Sequence, residues 1–313
     1  MHPNYTVKHP KILYIDRYGN IFPDCKTYQS NIVGHISAEG IAEKVIKELF
    51  SETETPIFNM ITVEVSSLCH AKCFYCFQED GKRREKYLYF RQLMDFLGKL
   101  QTYWLFFSGG EILDQPDAMD FIRKYRKKYP DTWIHLKTNG NAGMDKVKFI
   151  EECCNSVMVS FNGFTNSSCQ TLMKVDLDRT IQFCEAIVQN TSTNLGVKFL
   201  NSPICIAELP DFLNWALEIN AKAIAVQTVY HYSFDEKGKS SRKEHVFNGL
   251  SGEYWKEVCQ RVAVRTEAVL HVYKNRLNQE TCNLACDKKV LQILGLSEEY
   301  ARLFRTDGVY VIE

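Results

Sequence analysis

Cys69, Cys73 and Cys76 fall within eight positions in the stretch "SSLCHAKCFYCFQ", Ser66 to Gln78. The spacing C-x3-C-x2-C lets one loop wrap three thiolates around a compact centre. An ordinary [4Fe-4S] cluster takes four cysteines, so three local ligands with no evident fourth would leave one iron open to bind something else. Zinc is the rival, because thiolates suit it. A structural zinc site wants four closed ligands, usually from paired C-x2-C knuckles, and His70 beside Cys69 is badly placed to complete the set. The third reading is three inert core thiols.

Three more polar motifs each close an apolar run: "SGGE" (Ser108 to Glu111), "KTNG" (Lys137 to Gly140) and "SFNG" (Ser160 to Gly163). Gly109 and Gly110 permit positive φ and close backbone approach. Glu111 brings a carboxylate to the same place, suited to a ligand that carries an ammonium group. Two glycines before an acid equally make a plain turn between strand and helix.

The elements that must position these residues are strands expected at Ile61 to Ser66, Tyr103 to Ser108, Thr132 to Thr138, Ser156 to Phe161, Leu195 to Leu200 and Lys222 to Thr228. Between them lie helix candidates near Tyr89 to Leu100, Asp117 to Tyr129, Asp145 to Cys153, Leu177 to Asn190 and Leu209 to Asn220. Strand and helix in alternation imply an α/β fold of parallel strands joined by right-handed crossovers. A partial (β/α)6 barrel fits best, with a doubly wound open sheet as the alternative. In either fold ligands bind at the carboxyl ends of the strands, and the four motifs stand at those ends.

Residues 57–234 are read as this core. Residues 1–56 form an N-terminal extension: a hairpin over Lys11 to Cys25 turning at Tyr18, Gly19 and Asn20, then a helix around Ala38 to Phe50. Residues 235–313 form a mostly helical C-terminal extension. It begins with a polar loop or linker, Asp235 to His245, continues as an amphipathic helix from Glu253 to Leu277, and ends with a short strand, "GVYVIE".

Lysine plus arginine equals aspartate plus glutamate, 38 against 38, so no global field points to nucleic acid or an anionic membrane. The basic run Arg123 to Lys128 is read as a solvated helix face. No apolar run approaches the roughly 20 residues that span a bilayer, and the first residues lack a secretory pattern. The expectation is a cytoplasmic protein whose twelve cysteines are thiols or metal ligands, not disulfides.

Taken together, "CHAKCFYC" after the first strand, "SGGE" after the second and "TNG" after the third resemble the radical S-adenosylmethionine (radical SAM) superfamily, over about Phe58 to Val229. The resemblance implies an enzyme whose [4Fe-4S] cluster is held by Cys69, Cys73 and Cys76 and whose fourth iron chelates S-adenosylmethionine. It implies Tyr75 against the adenine, Gly109, Gly110 and Glu111 at the methionyl ammonium, and Thr138, Asn139, Ser160 and Asn162 near the ribose and carboxylate. Local turn capping is the other reading of those last four. The implied reaction is reductive cleavage to a 5′-deoxyadenosyl radical that takes hydrogen from a peptide or small metabolite. A flavodoxin- or ferredoxin-type donor would supply the electron.

"YGNIFPDC", Tyr18 to Cys25, looks like the Gly-x-x-x-Pro-x-Cys segment of the auxiliary-cluster (SPASM or twitch) extensions of that superfamily, displaced here to the N-terminal side. Cys282 and Cys286, at helical spacing, would join Cys25 around a second iron–sulfur cluster; a hairpin plus buried thiols is the alternative. Cys205, expected on the substrate side, is a candidate hydrogen-atom donor or else a small core residue. His231, in "TVYHY" at the end of the sixth strand, is a candidate acid or base or else ordinary packing. Two competing functions stand beside the lead: a glycyl-radical-enzyme activating enzyme and a non-catalytic metal-binding protein.

Overall fold

The computed structural model describes residues 11–23, 32–73, 76, 90–228, 230–234, 240–244, 253–276, 283–286 and 288–303. The strands are β1 (Ile12–Ile15), β2 (Asn20–Phe22), β3 (Gly34–His35), β4 (Ile57–Glu64), β5 (Gln101–Ser108), β6 (Trp133–Thr138), β7 (Ser156–Phe161), β8 (Asn194–Asn201), β9 (Ala223–Thr228), β10 (Tyr230–Phe234), β11 (Ser240–Glu244), β12 (Asn283–Cys286) and β13 (Arg302–Leu303). The helices are α1 (Ile41–Leu49), α2 (Phe90–Leu97), α3 (Pro116–Lys128), α4 (Lys146–Cys153), α5 (Asn166–Leu172), α6 (Leu177–Asn190), α7 (Leu209–Glu218), α8 (Glu253–Arg276) and α9 (Lys288–Leu294).

All six core strands fall where the apolar runs place them. They lie side by side in chain order, β4 to β9, each parallel to the next. A doubly wound sheet reverses its order at a switch point among its parallel strands; β4 to β9 never do. Right-handed crossovers that always step in one direction put every crossover helix on the same face, which is the winding of an open barrel. Alternation then separates two faces. Val157, Val159 and Phe161 of β7 and Val197 and Phe199 of β8 are buried under the helices. Phe212 of α7 packs on Phe161 and Phe199 with ring centroids at 5.4 and 4.9 Å. Each such aromatic contributes roughly 1.5–3 kcal/mol by burial. Met158, Ser160 and Lys198 point to the inner face.

The flanks extend the same sheet. β1 runs parallel to β4 (Leu13 opposite Ile61, Ile15 opposite Val63), and β2 and β3 follow antiparallel. The predicted hairpin turn forms: Gly19, at φ +88°, donates to the Asp16 carbonyl, and Asp16 Oδ1 accepts from the amides of Tyr18 and Asn20. Because β1 and β4 are parallel, this turn lies at the carboxyl end of the sheet.

Two expectations are corrected, and one helix is added to those expected. Asn283–Cys286, read as helical from its cysteine spacing, is strand β12, parallel to β9; four residues match either period, and pairing with an open sheet edge decides. Ser240–Glu244, read as loop, pairs antiparallel with Tyr230–Phe234 in a separate ribbon, so His231 lies opposite Lys243 and does not end the sixth core strand. Helix α5 escaped notice because "NSSCQTL" has little apolar periodicity; Thr165 caps it, accepting from the Ser168 amide while Ser168 Oγ accepts from the Thr165 amide. The expected terminal strand "GVYVIE" lies outside the described residues. Among the described residues no helix is long and apolar enough to cross a membrane.

Candidate active site

The cysteine loop leaves β4 and lies directly across the end of β5. Val65 donates to the Ser108 carbonyl (3.0 Å), Gly110 to Ser66 (2.7 Å) and Glu111 to Leu68 (2.7 Å). A Cβ on Gly110 would come 1.9 Å from the Leu68 oxygen, and one on Gly109, at φ +126°, would come 2.4 Å from the Ser66 oxygen. The close backbone approach for which the two glycines are needed is therefore made by the cysteine loop itself. On its far side Lys72 donates to the Met173 carbonyl, just past α5, and Ala71 is buried in the core. Cys69, Cys73 and Cys76 stay half-buried, and none of the described cysteines is in a disulfide.

Glu111 is buried, 1 % exposed. Its Oε1 accepts from Thr138 Oγ1 (2.7 Å) and the Leu113 amide (3.2 Å), and its Oε2 from the Asn139 amide (2.8 Å). Burial pushes its carboxyl up to about 6 although these donors favour the anion. Glu111 thus ties the end of β5 to the end of β6. Thr138 Oγ1 also accepts from the Gly140 amide. Asn139 bridges toward the cysteines: its Nδ2 lies 4.0 Å from Cys69 Sγ and 3.5 Å from His70 Nε2, while its Oδ1 accepts from the Asn141 amide. His70 Nδ1 is 2.5 Å from Asp114 Oδ2, and that hydrogen bond holds the imidazole above its ordinary pKa.

Past the end of β7, Asn162 is 2 % exposed and its Oδ1 has no partner among the described residues. A buried amide oxygen left unpaired costs about 1–3 kcal/mol, which a ligand donor would offset. Ser160 sits on the inner face opposite Lys198. Tyr75 lies outside the described residues.

The remaining candidates separate from this group. Cys205 is fully buried, its Sγ 3.3 Å from Ser202 Oγ and 3.5 Å from the Leu200 carbonyl, and burial pushes the thiol up to about 11. It occupies the core below the short turn Ile206–Glu208, not the inner space where a hydrogen donor was expected. Cys286 is buried opposite Val226, on the helix-covered face, and Cys25 and Cys282 lie outside the described residues. Two features were not read from the sequence. Arg17, from the N-terminal turn, lies 3.8 Å from the buried Glu64 carboxylate at the end of β4. Lys198 projects from the middle of β8; its signal was a cation in the apolar run "LGVKFL", on the opposite parity to Val197 and Phe199.

The three thiols are soft, half-exposed donors on one loop at the ligand-binding end of the sheet, a donor set that fits an iron–sulfur cluster. Among the described residues, no three Cys, His, Asp or Glu side chains converge as a single metal ion requires. A cube asks less convergence, since each thiolate meets a different iron.

A singly wound α/β sheet with its cysteine loop, diglycine turn and buried polar strand ends gathered at one rim defines an enzyme of the open-barrel class. Residues 63–201 match the family model of the Radical SAM superfamily. That family uses a [4Fe-4S] cluster and S-adenosylmethionine. A probable GTP 3',8-cyclase of Methanocaldococcus jannaschii is 24% identical over 168 residues, 51% of this chain and 56% of that protein. Streptococcus suis SuiB bound to S-adenosylmethionine superposes with a TM-score of 0.56 at 13% identity, covering 80% of this chain and 56% of that one. SuiB bound to its precursor peptide SuiA gives 0.55 at 13%, covering 86% and 59%. The chain therefore spans less than two thirds of the length of these relatives, and the likeness to SuiB concerns the fold.

Proposed function

We propose that the chain is a radical SAM enzyme that binds a [4Fe-4S] cluster through Cys69, Cys73 and Cys76 and takes hydrogen from a peptide or small-metabolite substrate. Held by those thiolates and reduced by an external donor, such a cluster would supply the single electron that reductive cleavage of S-adenosylmethionine requires. The protein's own part is placement. The observation that carries the reading is the docking of the cysteine loop on Gly109 and Gly110, with Glu111 bolting the same turn to Thr138 and Asn139. Three strand ends are thereby locked into one rim before any ligand arrives. With its side chain engaged, Glu111 acts as a positioning residue, and the polypeptide around Gly109 and Gly110 is left to meet the methionyl ammonium. The unpaired Asn162 Oδ1 suits a ribose hydroxyl.

In this reading residues 57–234 are the catalytic core and residues 1–56 and 235–313 flank it. The turn of the N-terminal hairpin covers the rim, supported by its position and by the Arg17–Glu64 contact. A flavodoxin- or ferredoxin-type protein delivers the electron in a reducing, cytoplasmic setting.

The test is anaerobic reconstitution with iron and sulfide, then dithionite and S-adenosylmethionine. Wild type should form 5′-deoxyadenosine and Cys76→Ala should not. Equal iron content in wild type and the Cys69→Ala/Cys73→Ala/Cys76→Ala variant would remove the basis of the proposal.

A further inference from the structure

The inner face of the sheet carries a charge that the rim chemistry does not use. Lys198 lies three residues before the end of β8, about 10 Å below the strand ends at the usual rise per residue. It stands beside Ser160 of β7 and Ala225 of β9. Below it Gly196 has no side chain, and Met158 fills that space: a Cβ on Gly196 would come 2.8 Å from Met158 Cε. The neighbour of Lys198 on the β9 side is the small Ala225. Its ammonium has no hydrogen-bond or ion-pair partner among the described residues.

A second cation is close. Lys137, on β6, holds its ammonium 4.6 Å above the Phe106 ring, which stacks on His135 with centroids 4.2 Å apart. Burial first, then Lys137, hold His135 neutral down to about 3, so the imidazole adds no charge; its Nε2 is buried with no partner among the described residues. Glu64, an acid of this same face, lies on β4 against Arg17. Lys198 and Lys137 are thus two cations on one face, and no described acid pairs with Lys198. Lys198 is half-buried, and an ammonium partly withdrawn from water with no counter-ion is destabilised, the more so with a like charge nearby. Burial, with Lys137 second, brings the Lys198 pKa down to about 7. Such a destabilising arrangement marks a binding group in want of its counter-ion.

We propose that Lys198, with Lys137 beside it, seats an anionic group of the substrate, a phosphate or a carboxylate, on the inner face below the rim. Assignment of the anion to the substrate rests on the reaction proposed above; the anion site does not. A lysine suits either group as a point charge, and its depth keeps it apart from the strand-end residues that face S-adenosylmethionine.

The test uses the full chain at pH 6.5 and constant ionic strength, with thermal unfolding and calorimetric titration against inorganic phosphate and against malonate. Wild type should show saturable binding of one or both, weakened about tenfold or more in Lys198→Met and retained in Lys198→Arg and in the surface control Lys128→Met. Without anion, Lys198→Met should melt at or above the wild-type temperature, because it removes an uncompensated charge. A lysine with a merely structural role predicts the reverse. Equal anion binding in wild type and Lys198→Met, or a lower melting temperature for that variant, overturns the site. Competitive displacement of phosphate by S-adenosylmethionine overturns the assignment to substrate. None of these readouts needs the cluster, so failure here leaves 5′-deoxyadenosine formation to be judged separately.

Discussion

The backbone amide of Asn139 donates to Glu111 Oε2 across 2.8 Å, joining residues 28 apart in the chain. Asn139 then turns its own amide nitrogen toward Cys69 Sγ, at 4.0 Å. One buried carboxylate thereby connects the diglycine turn, the end of the neighbouring strand and the first cysteine of the loop. Such networks are rigid when every member is satisfied, and fragile when one is removed.

Glu111→Ala leaves Thr138 Oγ1 and the Leu113 and Asn139 amides without their acceptor, and should lower stability by at least about 2 kcal/mol in urea titrations. Glu111→Gln reads the charge. The native carboxyl titrates at about 6 against an ordinary 4.5, so the folded state holds the proton to higher pH than the unfolded one. Its contribution is complete below about 4.5 and is lost as pH rises through 6. Wild-type stability relative to Glu111→Gln should therefore fall by about 2 kcal/mol between pH 4.5 and pH 7. A difference that rises over that interval contradicts the burial of Glu111.

Gly110→Ala should displace the cysteine loop, because its Cβ would meet the Leu68 carbonyl, which is backbone and cannot rotate away. The expected result is a folded protein by circular dichroism with reduced iron after reconstitution. Gly40→Ala is the control: φ is +67°, but nothing lies within 4 Å, so a small stability loss with normal iron is expected.

Cys205→Ala should cost about 1–2 kcal/mol of stability through lost packing and leave S-adenosylmethionine cleavage unchanged. In cluster-free protein, Cys205 should resist a thiol reagent that labels Cys69, Cys73 and Cys76 rapidly, since the buried thiol titrates near 11. Rapid labelling of Cys205 in the native state would contradict its placement.

Arg17→Met removes the cation 3.8 Å from Glu64, whose side chain is only 4 % exposed. The variant should lose stability at pH 7, by roughly 1–3 kcal/mol in urea titrations. If the hairpin turn covers the rim, the same variant should also raise uncoupled formation of 5′-deoxyadenosine. An unchanged ratio of product to 5′-deoxyadenosine argues against the cover.

The six core strands, their order of use and the cysteine loop were legible in the chain because each depends on a local signal: an apolar period, a glycine pair or a cluster of thiols inside a dozen residues. The same locality explains what could not be read. Whether Glu111 faces a ligand or the backbone of Asn139 depends on a strand nearly thirty residues away. Whether four residues before Asp287 make a turn of helix or a strand depends on an open edge offered by β9. A lysine in "LGVKFL" is one charge in an apolar string until register sets it beside Ser160 and away from every described acid. Sequence alone determined which residues gather at the rim, since parallel strands must put their carboxyl ends together. Only the folded sheet decided which of them bond to one another and which are left facing the inner space, because hydrogen-bond partners and side-chain parity are set by distant neighbours.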